Sequence, residues 1–303
     1  MRDLGRLITA MVTPFDKKGQ VNYAQAKRLA KALLASGSDG LVVSGTTGES
    51  PTLTKDEKLK LFAAVRQAIG KKVTLIAGTG SNNTQESIDF THKVEKQGIA
   101  DAVLVVVPYY NRTTQDGVYA HFKAIAQSTK LPCILYNVPT RTVTNMAVET
   151  TIRLSAIPNI IGIKEAAPDV KQAEAIIKGV TRKDFRVWSG DDGNTHAIVS
   201  AGGYGVVAVA SHLVGKQMRE MIERDIKGDQ AGAQAIHDRL TPIFKDLYVV
   251  PNPIPIKYAM NYLGFDVGGL RLPLFEIDEK NAATVRDALA KVTIDLPLKK
   301  KAR

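Results

Sequence analysis

The residues that could carry chemistry begin with a lysine at the end of a short apolar run, Ile160-Ile161-Gly162-Ile163-Lys164-Glu165-Ala166. The run is partly β-branched and predicts a buried strand that ends on Lys164. Such a lysine either threads its stem out to solvent or is held in a partly dry pocket. A second run, 28 residues earlier, ends Tyr136-Asn137-Val138-Pro139. That interval suits one strand-plus-helix unit, so the two runs would be neighbouring strands about 4.8 Å apart, with both side chains able to enter one lumen. Alone, Tyr136 reads equally as a core residue. An amine beside a phenol, without metal ligands nearby, points to Schiff-base chemistry. The amine attacks a ketone only when unprotonated, and desolvation inside a barrel favours that form. The resulting iminium is an electron sink, and loss of an α-proton gives an enamine. Tyr136 would move the protons of carbinolamine formation and dehydration.

Other segments would share the same rim. Gly45-Thr46-Thr47-Gly48-Glu49-Ser50 offers glycines, amides and hydroxyls that suit a carboxylate at least as well as a phosphate, since it lacks the Gly-Lys-Ser/Thr of a P-loop. Taken alone it also reads as a plain turn. Pro108-Tyr109-Tyr110-Asn111-Arg112 reads as surface packing or an interface. Ser189-Gly190-Asp191-Asp192 carries two acids. The five histidines, His92, His121, His196, His212 and His237, are dispersed without ligand spacing. Asp191 and Asp192 therefore read as loop hydrogen bonders or a helix cap, and no metal site is expected.

The elements that must position these residues recur at a near-constant interval. Short, mostly unalternating apolar runs span Leu7 to Val12, Leu41 to Val43, Val73 to Ala77, Ala102 to Val107, Cys133 to Tyr136, Ile160 to Ile163, Arg186 to Trp188 and Gly205 to Ala210. They predict parallel strands buried on both faces. Helical patterns lie between them. Asn22 can cap one, Thr54-Lys55-Asp56-Glu57 is a capping box, and Thr84 opens another that runs to about Gln97. Leu59, Phe62, Val65 and Ile69 form one face of the helix after Thr54. Eight strands with intervening helices predict an α/β chain folded as a (β/α)8 TIM barrel. An open doubly wound sheet is the structural alternative, but Thr13-Pro14-Phe15-Asp16 is not its glycine loop. Beyond about residue 226 only helices are expected, near 230–248, 255–263 and 279–291. Residues 1–225 then form a catalytic barrel and 226–303 a helical extension with a basic tail.

Composition sets outer bounds. The chain has 303 residues, 44% hydrophobic and 23% charged, ordinary for one large domain with an appendage. Cys133 is the only cysteine, which excludes an internal disulfide and fits a reducing compartment. Without a long apolar segment, a cytoplasmic protein is expected, and no membrane partner. Four of the +11 net charges come from Lys299, Lys300, Lys301 and Arg303, leaving +7. The other lysines are scattered without interleaved aromatics, so a solvated surface is preferred over a nucleic-acid partner.

Together these motifs resemble the dihydrodipicolinate synthase / N-acetylneuraminate lyase family of class I aldolases. The resemblance runs from Thr13-Pro14 to Arg271-Leu272-Pro273 and includes Asn252-Pro253-Ile254-Pro255-Ile256-Lys257. It implies Lys164 as the Schiff-base lysine, with no other cofactor. Tyr136 and Thr46 would form a proton relay, completed by Tyr110 reaching into a neighbour's site across a dimer interface. Thr47 would hold the pyruvate carboxylate, while Gly190 and Val207 would line the pocket. Arg141 matches the arginine of the synthase branch that binds the carboxylate of L-aspartate 4-semialdehyde; its planar fork pairs two oxygens at once. That branch implies condensation of pyruvate with L-aspartate 4-semialdehyde in lysine and diaminopimelate biosynthesis, by a homotetramer built as a dimer of dimers. A pyruvate-dependent sugar-acid aldolase of the same family is the alternative. Outside it stands a non-catalytic barrel that binds a 2-oxo acid or an anionic polymer. The family also implies a feedback site for lysine near Ser50, Asn82, Glu86 and Tyr109. Here Lys55 and Lys58 stand where lysine-sensitive relatives carry histidines, and weak or absent inhibition is expected.

Overall fold

The computed structural model describes residues 2–298. Met1 and the basic tail expected at Lys299–Arg303 lie outside the described residues. Eight parallel strands close a barrel in sequence order: β1 Leu7–Ala10, β2 Gly40–Val43, β3 Thr74–Gly78, β4 Ala102–Val106, β5 Cys133–Asn137, β6 Ile160–Glu165, β7 Arg186–Ser189 and β8 Gly205–Ala208, with β8 returning to β1. The helices are α1 Tyr23–Ala35, α2 Lys55–Ile69, α3 Thr84–Gln97, α4 Gln115–Gln127, α5 Pro139–Thr142, α6 Val148–Ser155, α7 Val170–Gly179, α8 Thr195–Ser200 and α9 Ser211–Ile226. Three more, α10 Gln230–Asp246, α11 Ile254–Tyr262 and α12 Glu279–Ala290, follow the barrel. The barrel and the helical extension are as expected.

The strand ends differ by a residue or two from the sequence reading. β1 stops at Ala10 and β8 at Ala208, because the chain there turns into rim loops. β6 does not end at Lys164; it continues through Glu165, which pairs with Asn137 of β5 and Ser189 of β7. Two helices, not one, link β5 to β6, and the first is the single turn α5. On α2, Leu61 is buried, whereas Leu59 is only partly so.

Helix starts follow local chemistry. Asn22, Thr54 and Asn83 each accept a hydrogen bond from a first-turn amide, so an orphan donor is satisfied before α1, α2 and α3. At α2 the reciprocal bond is present too, Glu57 accepting from the Thr54 amide at 2.9 Å.

Two apolar layers result from the pleat. Side chains such as Leu41, Val43, Leu75 and Val105 face outward and pack against the helices. Ile8, Ala10, Val42, Ile76, Leu104, Ile134, Tyr136 and Trp188 face inward and fill the lumen. Trp188 lies deep in it, its indole Nε1 donating to the Gly5 carbonyl at 3.0 Å. The opposite, C-terminal rim is where the chain can admit a ligand.

Among the described residues no helix is long and apolar enough to cross a membrane.

Candidate active site

The register of β5 against β6 builds the centre of the site. Ile134 pairs with Gly162, Tyr136 with Lys164 and Asn137 with Glu165, but Cys133 pairs with Ile160. One extra residue therefore sits on β6, a β-bulge. Its effect is on phase. Ile161 faces the lumen, and strict alternation would send Lys164 outward toward the helices. The bulge restores Lys164 to the lumen beside Tyr136. Its Nζ stands 4.4 Å from the Tyr136 ring centroid, and the residue is 5% exposed.

Asn137 and Glu165, one step along each strand, face the other way. Asn137 Nδ2 donates to Glu165 Oε1 at 2.9 Å, and the Ala167 amide to the same oxygen at 2.7 Å. Burial raises the Glu165 carboxyl above its usual pKa against the pull of these bonds. The pair ties β5 to β6 on the side away from the lumen.

A cavity of about 160 Å³ opens over Lys164. Thr46, Thr47, Tyr136, Arg141 and Gly190 line it, so five of the residues singled out in the sequence converge with Lys164. Gly190 is there because the space is Lys164's: a Cβ at 190 would meet Ala166 Cβ at 2.6 Å and Lys164 Cγ at 3.1 Å. Arg141, on α5, is exposed, and its Nη2 donates to the Asn252 carbonyl at 3.0 Å. Asp191 also lines the cavity. Its side chain accepts from the Asn194 amide at 3.1 Å, and Asp192 accepts from the Val209 and Ala210 amides, at 3.0 and 2.9 Å. Both act as the loop hydrogen bonders expected of them.

Two assigned residues are elsewhere. Val207 lies within the inward-facing cluster with Tyr136 and Trp188, and the wall from this side of the barrel is Val209. Tyr110 is 89% exposed, with a left-handed φ of 72°. It does not line the cavity of its own chain.

The sequence reading gave no role to several residues that hold the site together. Asn252 donates from Nδ2 to Thr47 Oγ1 at 2.9 Å while its carbonyl holds Arg141. Five residues on, Lys257 Nζ reaches Glu49 Oε1 at 2.7 Å and the Thr13 carbonyl at 3.0 Å, over the Phe15 ring. Both side chains of this ion pair are essentially buried, 2% and 0% exposed. Burial lowers the Lys257 pKa from the usual lysine value, and Glu49 opposes that shift. Arg271 donates its amide to Glu49 Oε2 at 3.0 Å and its guanidinium to Glu57 at 2.6 Å. That guanidinium holds the Glu57 carboxyl down to about 2. The helical extension thus pins the loop bearing Thr46 and Thr47.

A second cavity of about 420 Å³ adjoins the first, sharing Thr46, Tyr136 and Arg141 with it. Ser50, Glu86 and Tyr109 line it, together with Lys55 and Lys58. Asn82 does not; its carbonyl accepts from Asn111 Nδ2 at 3.1 Å. Among the described residues no cluster of three or more His, Cys, Asp and Glu is arranged to hold a metal.

The family model of the dihydrodipicolinate synthetase family matches residues 3–292. The chain belongs to this family. Among its relatives is the 4-hydroxy-tetrahydrodipicolinate synthase of Dehalococcoides mccartyi, 61% identical over 299 residues, which are 99% of this chain and 100% of that one. A crystal structure of the dihydrodipicolinate synthase of Cyanidioschyzon merolae with lysine bound superposes with a TM-score of 0.92 at 46% identity, covering 95% of this chain and 98% of that one. The chloride-inhibited dihydrodipicolinate synthase of Acinetobacter baumannii, complexed with pyruvate, superposes with a TM-score of 0.92 at 36% identity, covering 95% and 99%. The dihydrodipicolinate synthetase family is a family of enzymes, and the C-terminal rim described above lies within the matched residues.

Proposed function

We propose that this chain is a 4-hydroxy-tetrahydrodipicolinate synthase, which condenses pyruvate with L-aspartate 4-semialdehyde in lysine and diaminopimelate biosynthesis. The observation that carries the reading is the pairing of Tyr136 with Lys164 across β5 and β6, under a rim that also presents Arg141. The Lys164 amine attacks C2 of pyruvate, the carbinolamine loses water, and an iminium forms. Loss of a C3 proton gives the enamine. Its C3 bonds to the aldehyde carbon of the second substrate, whose oxygen becomes a hydroxyl. The α-amino group of that substrate then attacks C2, closes a six-membered ring and releases Lys164. The product is a 4-hydroxy-tetrahydrodipicolinate, and pyruvate is the only group held covalently.

Within this reading Tyr136 and Thr46 carry the protons of these steps. Thr47 and the adjoining amides hold the pyruvate carboxylate, and Gly190 leaves room for the lysine stem. Val207 supports the floor of the pocket from within the lumen. Tyr110, exposed on its own chain, completes the relay of a neighbour in a homotetramer made of two dimers. Residues 1–225 serve as the catalytic barrel, and the extension from 226 braces its rim. A cytoplasmic location suits a chain with a single cysteine.

Arg141 distinguishes the aspartate semialdehyde from a polyhydroxy sugar acid. Arg141→Ala is expected to lower kcat/KM for L-aspartate 4-semialdehyde by roughly 10- to 150-fold, the worth of a charge-assisted hydrogen bond of about 1.5–3 kcal/mol. Pyruvate adduct formation should persist. A coupled assay with L-aspartate 4-semialdehyde against N-acetylneuraminate tests the whole reading; turnover of the sugar acid alone would overturn it.

We further propose that the cavity holding Ser50, Glu86 and Tyr109 binds L-lysine only weakly. Burial and the neighbouring Lys55 lower the Lys58 pKa to about 8, so below that pH Lys58 is a cation. It then repels the ammonium groups of a lysine ligand and, unlike an imidazole, cannot accept a hydrogen bond from them. As pH rises through 8 this repulsion fades, with Glu86 still available. Titration of activity with L-lysine should therefore show weak inhibition at pH 7 that strengthens toward pH 8.5. Half-inhibition at submillimolar lysine at pH 7 would contradict the charge argument.

A further inference from the structure

Tyr248 enters the Lys164 cavity from outside the barrel, from the segment just after α10 that also carries Asn252. The residue as a whole is 36% exposed, but its hydroxyl turns inward and donates to Asp192 Oδ2 at 3.4 Å. Asp192 is a fixed post. It is completely buried, and both its oxygens already accept from backbone amides, Val209 at 3.0 Å and Ala210 at 2.9 Å. The phenol contact is long for an O–H···O bond, whose usual separation is about 2.7–2.8 Å. The hydroxyl is thus oriented but weakly engaged, and it can be shared with a substrate oxygen.

The same segment orients Arg141, through the Asn252 carbonyl. One stretch of the extension therefore aims a guanidinium and a phenol into one cavity. A substrate with a carboxylate at one end and an aldehyde at the other needs a grip of that kind.

The charges that act here come from several elements. Asp191 of the same loop and Lys164 of β6 act on Asp192; Asp192, Asp191, Tyr136 of β5 and Arg141 of α5 act on Tyr248. Burial, with the two aspartates, raises the Tyr248 phenol well above its ordinary pKa, so it stays a proton donor. Burial also pushes the Asp192 carboxyl up to about 7, against the pull of its two amides.

We propose that Tyr248 is a further substrate-positioning residue, held by Asp192 and donating a hydrogen bond to the aldehyde oxygen of the second substrate. The inference rests on the Schiff-base reading above. When the enamine carbon bonds to the aldehyde carbon, the electron pair of the C=O bond moves to oxygen. A preoriented donor stabilises that charge as it grows. Protonation of Asp192 weakens it as an acceptor, so the phenol loses the partner that orients it. KM for the aldehyde substrate should therefore rise as pH falls through about 7.

The test is Tyr248→Phe, with kcat and KM for both substrates measured from pH 6 to 9 alongside borohydride trapping of the pyruvate adduct. The expected result is a roughly 2- to 13-fold lower kcat/KM for L-aspartate 4-semialdehyde, the worth of a neutral hydrogen bond. The rise in KM below pH 7 should disappear, and pyruvate trapping should be unchanged. A variant with wild-type kcat/KM and a wild-type pH profile would overturn the proposal. Failure of the wild-type chain to trap pyruvate would instead overturn the Schiff-base reading beneath it.

Discussion

Lys164→Ala is expected to lower turnover by on the order of 10⁴-fold or more, because it deletes the nucleophile through which both halves of the reaction pass. The fold should survive. The side chain ends at a cavity of about 160 Å³, so truncation enlarges an existing space and does not open a hole in a packed layer. Lys164→Arg should fail as well, since a guanidinium stays protonated. Circular dichroism and thermal melting would show an intact barrel in both variants. Either variant turning over at a rate close to wild type would show that the amine is not the nucleophile.

The largest effect on stability is expected far from that amine. Lys257→Met leaves the Glu49 carboxylate buried, 0% exposed, with its cation gone. Breaking a buried pair from one side costs about 3–5 kcal/mol. For a chain of this length that corresponds to a fall in Tm of roughly 5–8 °C. Activity should fall with it, since Glu49 closes the loop that carries Thr46 and Thr47. The double variant Lys257→Met/Glu49→Gln should recover part of the loss, because no unpaired charge remains. Thermal melts of the two single variants and the double decide the matter. Additive losses would mean that the pair does not act as a unit.

These two residues also mark what could be read from the chain and what could not. The barrel was legible because its strands are short apolar runs and because Asn22 and Thr54 announce helix starts through local chemistry, whereas the cap of α3 is Asn83, one residue before Thr84. Lys164 and Tyr136 stood out for the same reason: polar residues at the ends of apolar runs, one repeat unit apart. The bulge that turns Lys164 inward did not stand out. Its one signal was Gly162, an isolated glycine within a strand pattern. A Cβ there would meet the Arg186 carbonyl oxygen at 2.2 Å.

The contribution of the extension was illegible for a different reason. Glu49 and Lys257 are 208 residues apart, and Thr47 and Asn252 205 apart. Neither spacing has a local period that would reveal contact. Asn252 and Lys257 appeared only as letters in a motif, without a physical task. Tyr248 looked like one more aromatic in a helical stretch, since nothing nearby in sequence says that Asp192 waits for its hydroxyl. Val207 was assigned to the wall by resemblance, yet it packs inside the lumen, and the cavity is lined instead by Val209, in the loop just after β8.

The most direct measurement is borohydride reduction of the wild-type protein in the presence of pyruvate, followed by intact mass and peptide mapping. The account predicts one reduced pyruvate adduct per chain, on the peptide containing Lys164, and none in Lys164→Ala. An adduct on another lysine, or no adduct at saturating pyruvate, would contradict it.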